Sequence, residues 1–337
     1  MGLKVIIVGG NFSGLSLVNM LEKFDIDYVL PEGYPTIASQ LGASVGLLPT
    51  GLRILDQLGC YDEMERTVGD ANYKAGRTPD SVQEPQYVER ILTNKRVFRI
   101  EHEPDGVRVF TRDGSTYKGD FVVRADGIHS IVRREMWMVA DEEGSGVLKP
   151  DPLRYLQCEY KCIFGISKRP AGLAASPLQL NAFFKNCNYL VFSKDIPRYS
   201  KEDELALAEQ QFEDRITEKV HPLSAQGANT AIETAAVLTN TLLAAARVQE
   251  TEKPFTEEEE DDIISIFTEV QAHQFKRAVK AVDQGRMMNY MTVKETLRSR
   301  VFVNYFFPRF GQSTILNPWV KSPLNGPMIN DLPVPAR

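Results

Sequence analysis

The sequence predicts an α/β fold built around a parallel sheet, and three stretches carry that prediction. "LKVIIVGGNFSGLSLVNMLEKF" (3–24) reads as strand, glycine turn and helix in one unit. "IDYVL" (26–30) follows as a second apolar strand, and "DFVVRADG" (120–127) as a third. Short, wholly apolar runs separated by helical patterns belong to a sheet covered on both faces.

The elements follow in order. In the first helix Leu15, Leu17, Val18, Leu21 and Phe24 fall on one face. "GLLPTGLRILDQLG" (46–59) predicts a helix that opens near Thr50 and closes at Gly59. Residues 65–90 are polar and without a clear period. From 96 to 123 the alternation is clean, with turns at Asp105-Gly106 and Asp113-Gly114, which predicts a three-stranded meander feeding one more buried strand. A second β-rich region spans about 153–193, followed by a polar helix at 201–216 and a helix in "GANTAIETAAVLTNTLLAAA" (227–246). The acidic run "TEEEEDDIISIFTEV" is a helix start: Thr256 serves as N-cap and Glu259 completes a capping box, with acids suited to the helix dipole. "NPWVKSPLNGPMINDLPVPAR" (317–337) is a Pro-rich tail without helical pattern.

Composition narrows the function. The chain has 337 residues, 43% hydrophobic and 25% charged, the balance of an ordinary globular protein. A net charge of -6 argues against a general nucleic-acid binder. No window reaches the roughly 18 apolar residues of a membrane span, and Val5–Val8 is too short for a signal peptide core. Four cysteines (Cys60, Cys158, Cys162, Cys187) and four histidines lack zinc spacing, and Cys158 and Cys162 read as core residues of a strand. The expectation is a reduced, cytoplasmic protein with at most a loose membrane association.

The glycine turn poses the functional question. A dinucleotide fingerprint G-x-G-x-x-G needs a tight bend, close approach of backbone N–H groups to a pyrophosphate, and close helix–strand contact. Gly9, Gly10 and Gly14 are its candidate residues here; Asn11 takes the middle glycine's place, so its side chain is expected to point away from the phosphate. The acid that should bind a ribose hydroxyl is Glu32, 18 residues beyond Gly14 and directly after the second strand. The Ala-Asp-Gly strand end at 125–127, with a helix start at Ser130, and the Gln-Gly-Ala-Asn turn (226–229) that caps the next helix complete a set of three anion- or ring-facing elements.

In this order the three elements resemble the flavin-dependent monooxygenases. "GASVGLLPTGLRILDQLG", "LTNKRV", "DGSTYKGDFVV", "ADGIHSIVRREMW", "EYKCIFGIS", "AQGANTAIE" and "DLPVPAR" are similar to the fungal FAD-dependent epoxidases of meroterpenoid and indole-diterpene biosynthesis. The resemblance implies a Rossmann-like, GR2-type FAD-binding fold with an inserted β-sheet substrate domain. It divides the chain into an FAD-binding part (1–150 and 213–250), a shortened substrate sheet (151–212), and a C-terminal helical region with the tail (251–337). It also implies one bound FAD, a transient NADPH, molecular oxygen and a prenylated small-molecule substrate whose terminal alkene is epoxidised. Glu32 then falls to the adenosine ribose, Gly46 to a backbone contact, Asp126 to the pyrophosphate neighbourhood, and Gly227 with Ala228 to the flavin.

The chain departs from that pattern in three places. The family's FAD-contacting arginine after residue 66 has no match, and Arg77 is not given its role. A hairpin around 186–192 is missing from the substrate sheet. The Gly-Asp that bonds the ribityl chain is absent before His221, with Asp214 the only local carboxylate placed to substitute for it. Losing two charge-assisted hydrogen bonds corresponds to FAD binding weaker by about 10²- to 10⁴-fold. His129 and His221 read as structural, and no residue is assigned a catalytic role. Two alternatives stand beside epoxidation: hydroxylation of a phenol, and a degenerate, non-redox member.

Overall fold

The structure is a computed structural model that describes residues 3–37, 47–68, 88–127, 129–142, 144, 178–184, 187–193, 226–251, 259–292, 296–306, 309–310 and 326–336. Its centre is a four-stranded, all-parallel sheet. β1 (Lys4–Val8) leads through α1 (Phe12–Lys23) to β2 (Asp27–Pro31), then come α2 (Pro49–Gln57), α3 (Tyr61–Val68) and the short β3 (Ile91–Leu92). A meander of β4 (Val97–Glu103), β5 (Gly106–Thr111) and β6 (Thr116–Gly119) precedes β7 (Phe121–Arg124) and α4 (Ile131–Glu142). Strand order in the sheet is β3-β2-β1-β7. Lys4 pairs with Asp27 on one side of β1, and Val8 pairs with Arg124 on the other.

The apolar run of β1 is explained by its two covers. Val5 and Ile7 join Tyr28 and Leu30 beneath Leu17, Val18 and Leu21 of α1 and Ile54 and Leu58 at α2. Ile6 and Val8, pointing the other way, pack with Val97, Ile100, Val107 and Val109 of the meander. The period of two in a strand sends alternate residues to opposite layers, so a strand between two layers must be apolar at each position.

After the hairpin of β8 (Leu178–Phe184) and β9 (Cys187–Ser193), three helices complete the described chain: α5 (Gln226–Thr251), α6 (Glu259–Thr292) and the short α7 (Leu297–Val301), which opens on a capping box between Thr296 and Ser299. α5 lies in the helical layer: Ile232, Ala235, Ala236, Leu238 and Leu242 are in the same core as β1 and α1.

Two boundaries differ from expectation. The first residues of the polar stretch 65–90 finish α3. α5 begins at Gln226, so the Gln-Gly-Ala-Asn run forms its first turn rather than a preceding cap. The reason is that Asn229 does not cap its own helix; its side chain is spent on the backbone of α2, as described below. Thr256, Cys158, Cys162, Asp214, His221 and the polar helix of 201–216 lie outside the described residues, and so do the two residues joining β8 to β9.

Candidate active site

Parallel strands deliver their carboxyl ends to one edge, and the edge between β1 and β7 is where the chain's path across the sheet reverses. Three of the expected site residues meet there. Gly9 ends β1 with φ of 106°, and a Cβ on it would stand 2.5 Å from the carbonyl oxygen of Ala125. Gly14 is tighter still: its Cβ would lie 2.0 Å from Gly9 O, so α1 presses directly on the turn. Any side chain at either position collides with backbone, which is the physical content of a glycine fingerprint.

Glu32 stands at the end of β2 and is 9% exposed. Gly10 N–H donates to its Oε2 at 2.5 Å and Tyr34 N–H to its Oε1 at 2.8 Å. These bonds fix the carboxylate next to the turn and leave each oxygen a second lone pair for a further donor. The backbone donor of Gly10 is thereby directed to Glu32.

Asp126 follows β7. Its Oδ2 accepts from Ile131 N at 2.7 Å at the start of α4, which Ser130 also caps by accepting from Arg133 N at 3.0 Å. Its Oδ1 is buried and has no hydrogen-bond partner among the described residues. An orphaned carboxylate oxygen at a cofactor edge is a place for an external donor. The sequence reading gave no role to the two arginines flanking this motif. Arg133 is buried on α4. Partial desolvation of Arg124, then the charge of Arg133, lowers the affinity of Arg124 for its proton, with Asp126 opposing the change. The charges of Arg133 and Asp126 thus both act on Arg124 at this corner. The signal was in the sequence, in the basic residues bracketing "ADG".

Asn11 is the N-cap of α1: its side chain accepts from Phe12 N at 2.8 Å. An Asn at an N-cap satisfies an otherwise orphaned donor, and this local gain decides its rotamer.

The start of α5 is set against α2. Asn229, fully buried, accepts from Leu48 N at 2.8 Å, and a Cβ on Gly51 would come within 2.4 Å of that same Oδ1. Gly227 is exposed and Ala228 half-buried at this helix start, open to a partner. Gly46 lies outside the described residues. The structure therefore gathers Gly9, Gly10, Gly14, Glu32 and Asp126 at one edge and carries Gly227 and Ala228 on a helix held by the first turn of α2. Asn229 is the residue that sequence reasoning quoted without assigning it a task.

The residues present fit an FAD: a turn closed to side chains, a ribose-ready carboxylate, and a buried carboxylate oxygen without a partner among the described residues. Comparison with known proteins agrees. A family model for flavin containing amine oxidoreductases matches residues 61–128. The FAD-dependent monooxygenase olcE of Penicillium canescens is 30% identical over 399 residues, covering 91% of this chain and 85% of that protein.

This chain belongs to the FAD-dependent monooxygenases.

The FAD-dependent monooxygenase ausM of Penicillium brasilianum is 27% identical over 428 residues, 99% of this chain and 88% of that protein. The solved structure of Klebsiella pneumoniae HpxO complexed with FAD and uric acid shares the fold, with a TM-score of 0.57 at 16% identity, over 96% of this chain and 97% of that one. This monooxygenase therefore has the Rossmann-like flavoprotein fold expected of it and takes FAD as its cofactor. Aligned spans of 399 and 428 residues exceed the 337 of the chain, so these relatives carry internal stretches that it lacks. Among the described residues no helix is long and apolar enough to cross a membrane.

Proposed function

We propose that this monooxygenase epoxidises a terminal alkene of a prenylated, meroterpenoid-type small molecule in the cytoplasm, with NADPH and O2 as co-substrates. The reaction balances as alkene, O2, NADPH and a proton giving epoxide, NADP⁺ and water. When bound, FAD supplies the redox chemistry that passes electrons from NADPH to oxygen. The chain's share is binding, orientation and exclusion of water. The Gly9-Gly10-Gly14 turn receives the pyrophosphate, Glu32 the adenosine ribose, and Asp126 a donor near the phosphates. Gly46 makes a backbone contact, and Gly227 and Ala228 meet the flavin end. FAD is held by 1–150 and 213–250 and substrate by the sheet of 151–212, with 251–337 a C-terminal helical region and tail.

The observation that carries the cofactor part of this reading is the buried, unsatisfied Oδ1 of Asp126 beside the Gly9–Ala125 contact. The choice of epoxidation follows the sequence resemblance to the fungal epoxidases. The test is reconstitution with FAD and NADPH under ¹⁸O2, offering a phenol with a terminal-alkene prenyl chain and the same phenol without it. One ¹⁸O on the prenyl chain supports epoxidation. Label on the ring of the unprenylated phenol replaces it with aromatic hydroxylation. A rearranged product without label replaces both with a non-redox reaction.

A further inference from the structure

The Pro-rich tail, read from sequence only as patternless, is bound by side chains from two helices. Arg53 of α2 donates Nη2 to the carbonyl oxygens of Gly326 and Pro327 at 2.5 and 3.1 Å. Gln57, one helical turn on, uses its whole amide: Nε2 donates to Ile329 O and Leu332 O, both at 2.8 Å, and Oε1 accepts from Ile329 N at 2.9 Å. From α5, Asn240 donates to Met328 O at 2.8 Å and accepts from Asn330 N at 3.0 Å. Arg247 pairs with Asp331 at 2.8 Å. Ile329 is completely buried and belongs to the core of β1, α1, α2 and α5.

All but one of these contacts go to the tail's backbone. Side-chain amides hold the main chain of this segment, which turns where Leu332 N donates to Ile329 O at 3.3 Å, while one apolar side chain fills a pocket between the helices. The groove also adjoins the cofactor end. Gly326 sits over Thr50, in the first turn of α2, whose Cγ2 a Cβ on Gly326 would approach to 3.3 Å. Leu48 and Gly51 in that same region are the points held by Asn229 at the start of α5.

We propose that the α2–α5 groove is a docking site for a short, turn-forming peptide, filled by residues 326–332 of this chain, and that its occupancy sets the position of the two helix starts and thereby the affinity for FAD. The tail residues are positioning residues. They touch neither substrate nor cofactor, and they act by fixing α2 against α5. This inference rests on the reading that the start of α5 meets the flavin.

The test compares the full chain with one lacking residues 326–337, measuring FAD affinity by quenching of flavin fluorescence. The shortened chain is expected to bind FAD at least about tenfold more weakly, the equivalent of one or two lost neutral hydrogen bonds. A synthetic peptide of residues 324–337 added to it restores the affinity, and the same peptide with Ile329→Asp does not. An unchanged FAD affinity, or a peptide that binds (by fluorescence anisotropy of a labelled copy) without altering it, overturns the proposal. If circular dichroism shows the shortened chain unfolded, Asn240→Ala in the full chain decides: it removes two backbone contacts to the tail, and an FAD affinity equal to that of the unaltered chain refutes the coupling. Glu32→Gln separates the two readings. If it weakens FAD while the tail variants do not, the site stands and the tail proposal falls; if it too leaves FAD binding unchanged, the site reading falls and takes the proposal with it.

Discussion

Replacing Glu32 by glutamine changes two atoms' worth of chemistry at the point where β1 and β2 meet. The carboxylate accepts from Gly10 N at 2.5 Å and from Tyr34 N at 2.8 Å in a place that leaves the residue 9% exposed. Charge-assisted bonds of this kind contribute roughly 1.5–3 kcal/mol each, a neutral one about 1 kcal/mol. The side-chain amide introduced by Glu32→Gln can offer one oxygen, so one of the N–H groups keeps a weakened bond and the other faces an NH2 donor. The expected loss in the FAD-free protein is about 2–4 kcal/mol. In a chain of 337 residues each kcal/mol lowers Tm by roughly 1–2 °C, so differential scanning calorimetry should find a drop of about 2–8 °C. FAD binding adds a second loss, because a ribose hydroxyl that donates to a carboxylate gives up a further charge-assisted bond; titration by flavin fluorescence should find Kd raised about 10- to 100-fold. A variant with both the unfolding temperature and the FAD affinity of the parent would refute the argument, since it would mean that neither the turn nor the nucleotide leans on this carboxylate.

Three more outcomes are expected. Gly14→Ala places a methyl group 2.0 Å from Gly9 O, a backbone atom that cannot swing aside; a loss of about 3 kcal/mol or more and failure to retain FAD through gel filtration should follow, and normal retention would contradict it. Gly51→Ala collides with Asn229 Oδ1 at 2.4 Å, whereas Asn229→Ala removes that oxygen and orphans Leu48 N. The double variant should therefore be less damaged than the sum of the singles by about 1 kcal/mol or more in urea unfolding, and additive values would remove the contact from the account. In the meander, hydrogen bonds from Lys95, then from Thr111, hold the Asp113 carboxyl well below the usual carboxylate range. A depressed pKa in the folded state gives stability that is present above the unfolded value of about 3.9 and is lost as pH falls below it. The Tm gap between the parent and Asp113→Asn should accordingly narrow from pH 5 towards pH 2, and a gap constant over that range would show that the ion pair does not couple to folding.

The parts of the fold that were legible are those whose signal is local. The run Val5–Val8, the turn Gly9–Gly14 and the alternation of Val107 and Val109 state their surroundings directly, because a strand between two layers is apolar throughout and a half-covered one alternates. Asp126 and Glu32 were legible as residue types at fixed distances from strand ends. The bond from Phe12 N to the Asn11 side chain was not read from the sequence. Gln57, Arg53 and Asn240 could not have been found: each is an ordinary polar residue on a helix, and its partner is a main-chain atom at least 88 positions away. Main-chain partners leave no residue-type pattern. For the same reason Asn229 was visible as part of a motif while its service to Leu48 was not.

Gln57 and Ile329 are separated by 272 positions. A ribosome adding 5–20 residues per second needs roughly 15–50 s to travel between them, long after the β1–α1–β2 unit could have collapsed. The pocket for Ile329 is complete only once α5 is made, and from then until residue 329 is added it stands unfilled. Folding of this oxygenase thus includes a plug, Ile329, that is made long after the first residues of its pocket.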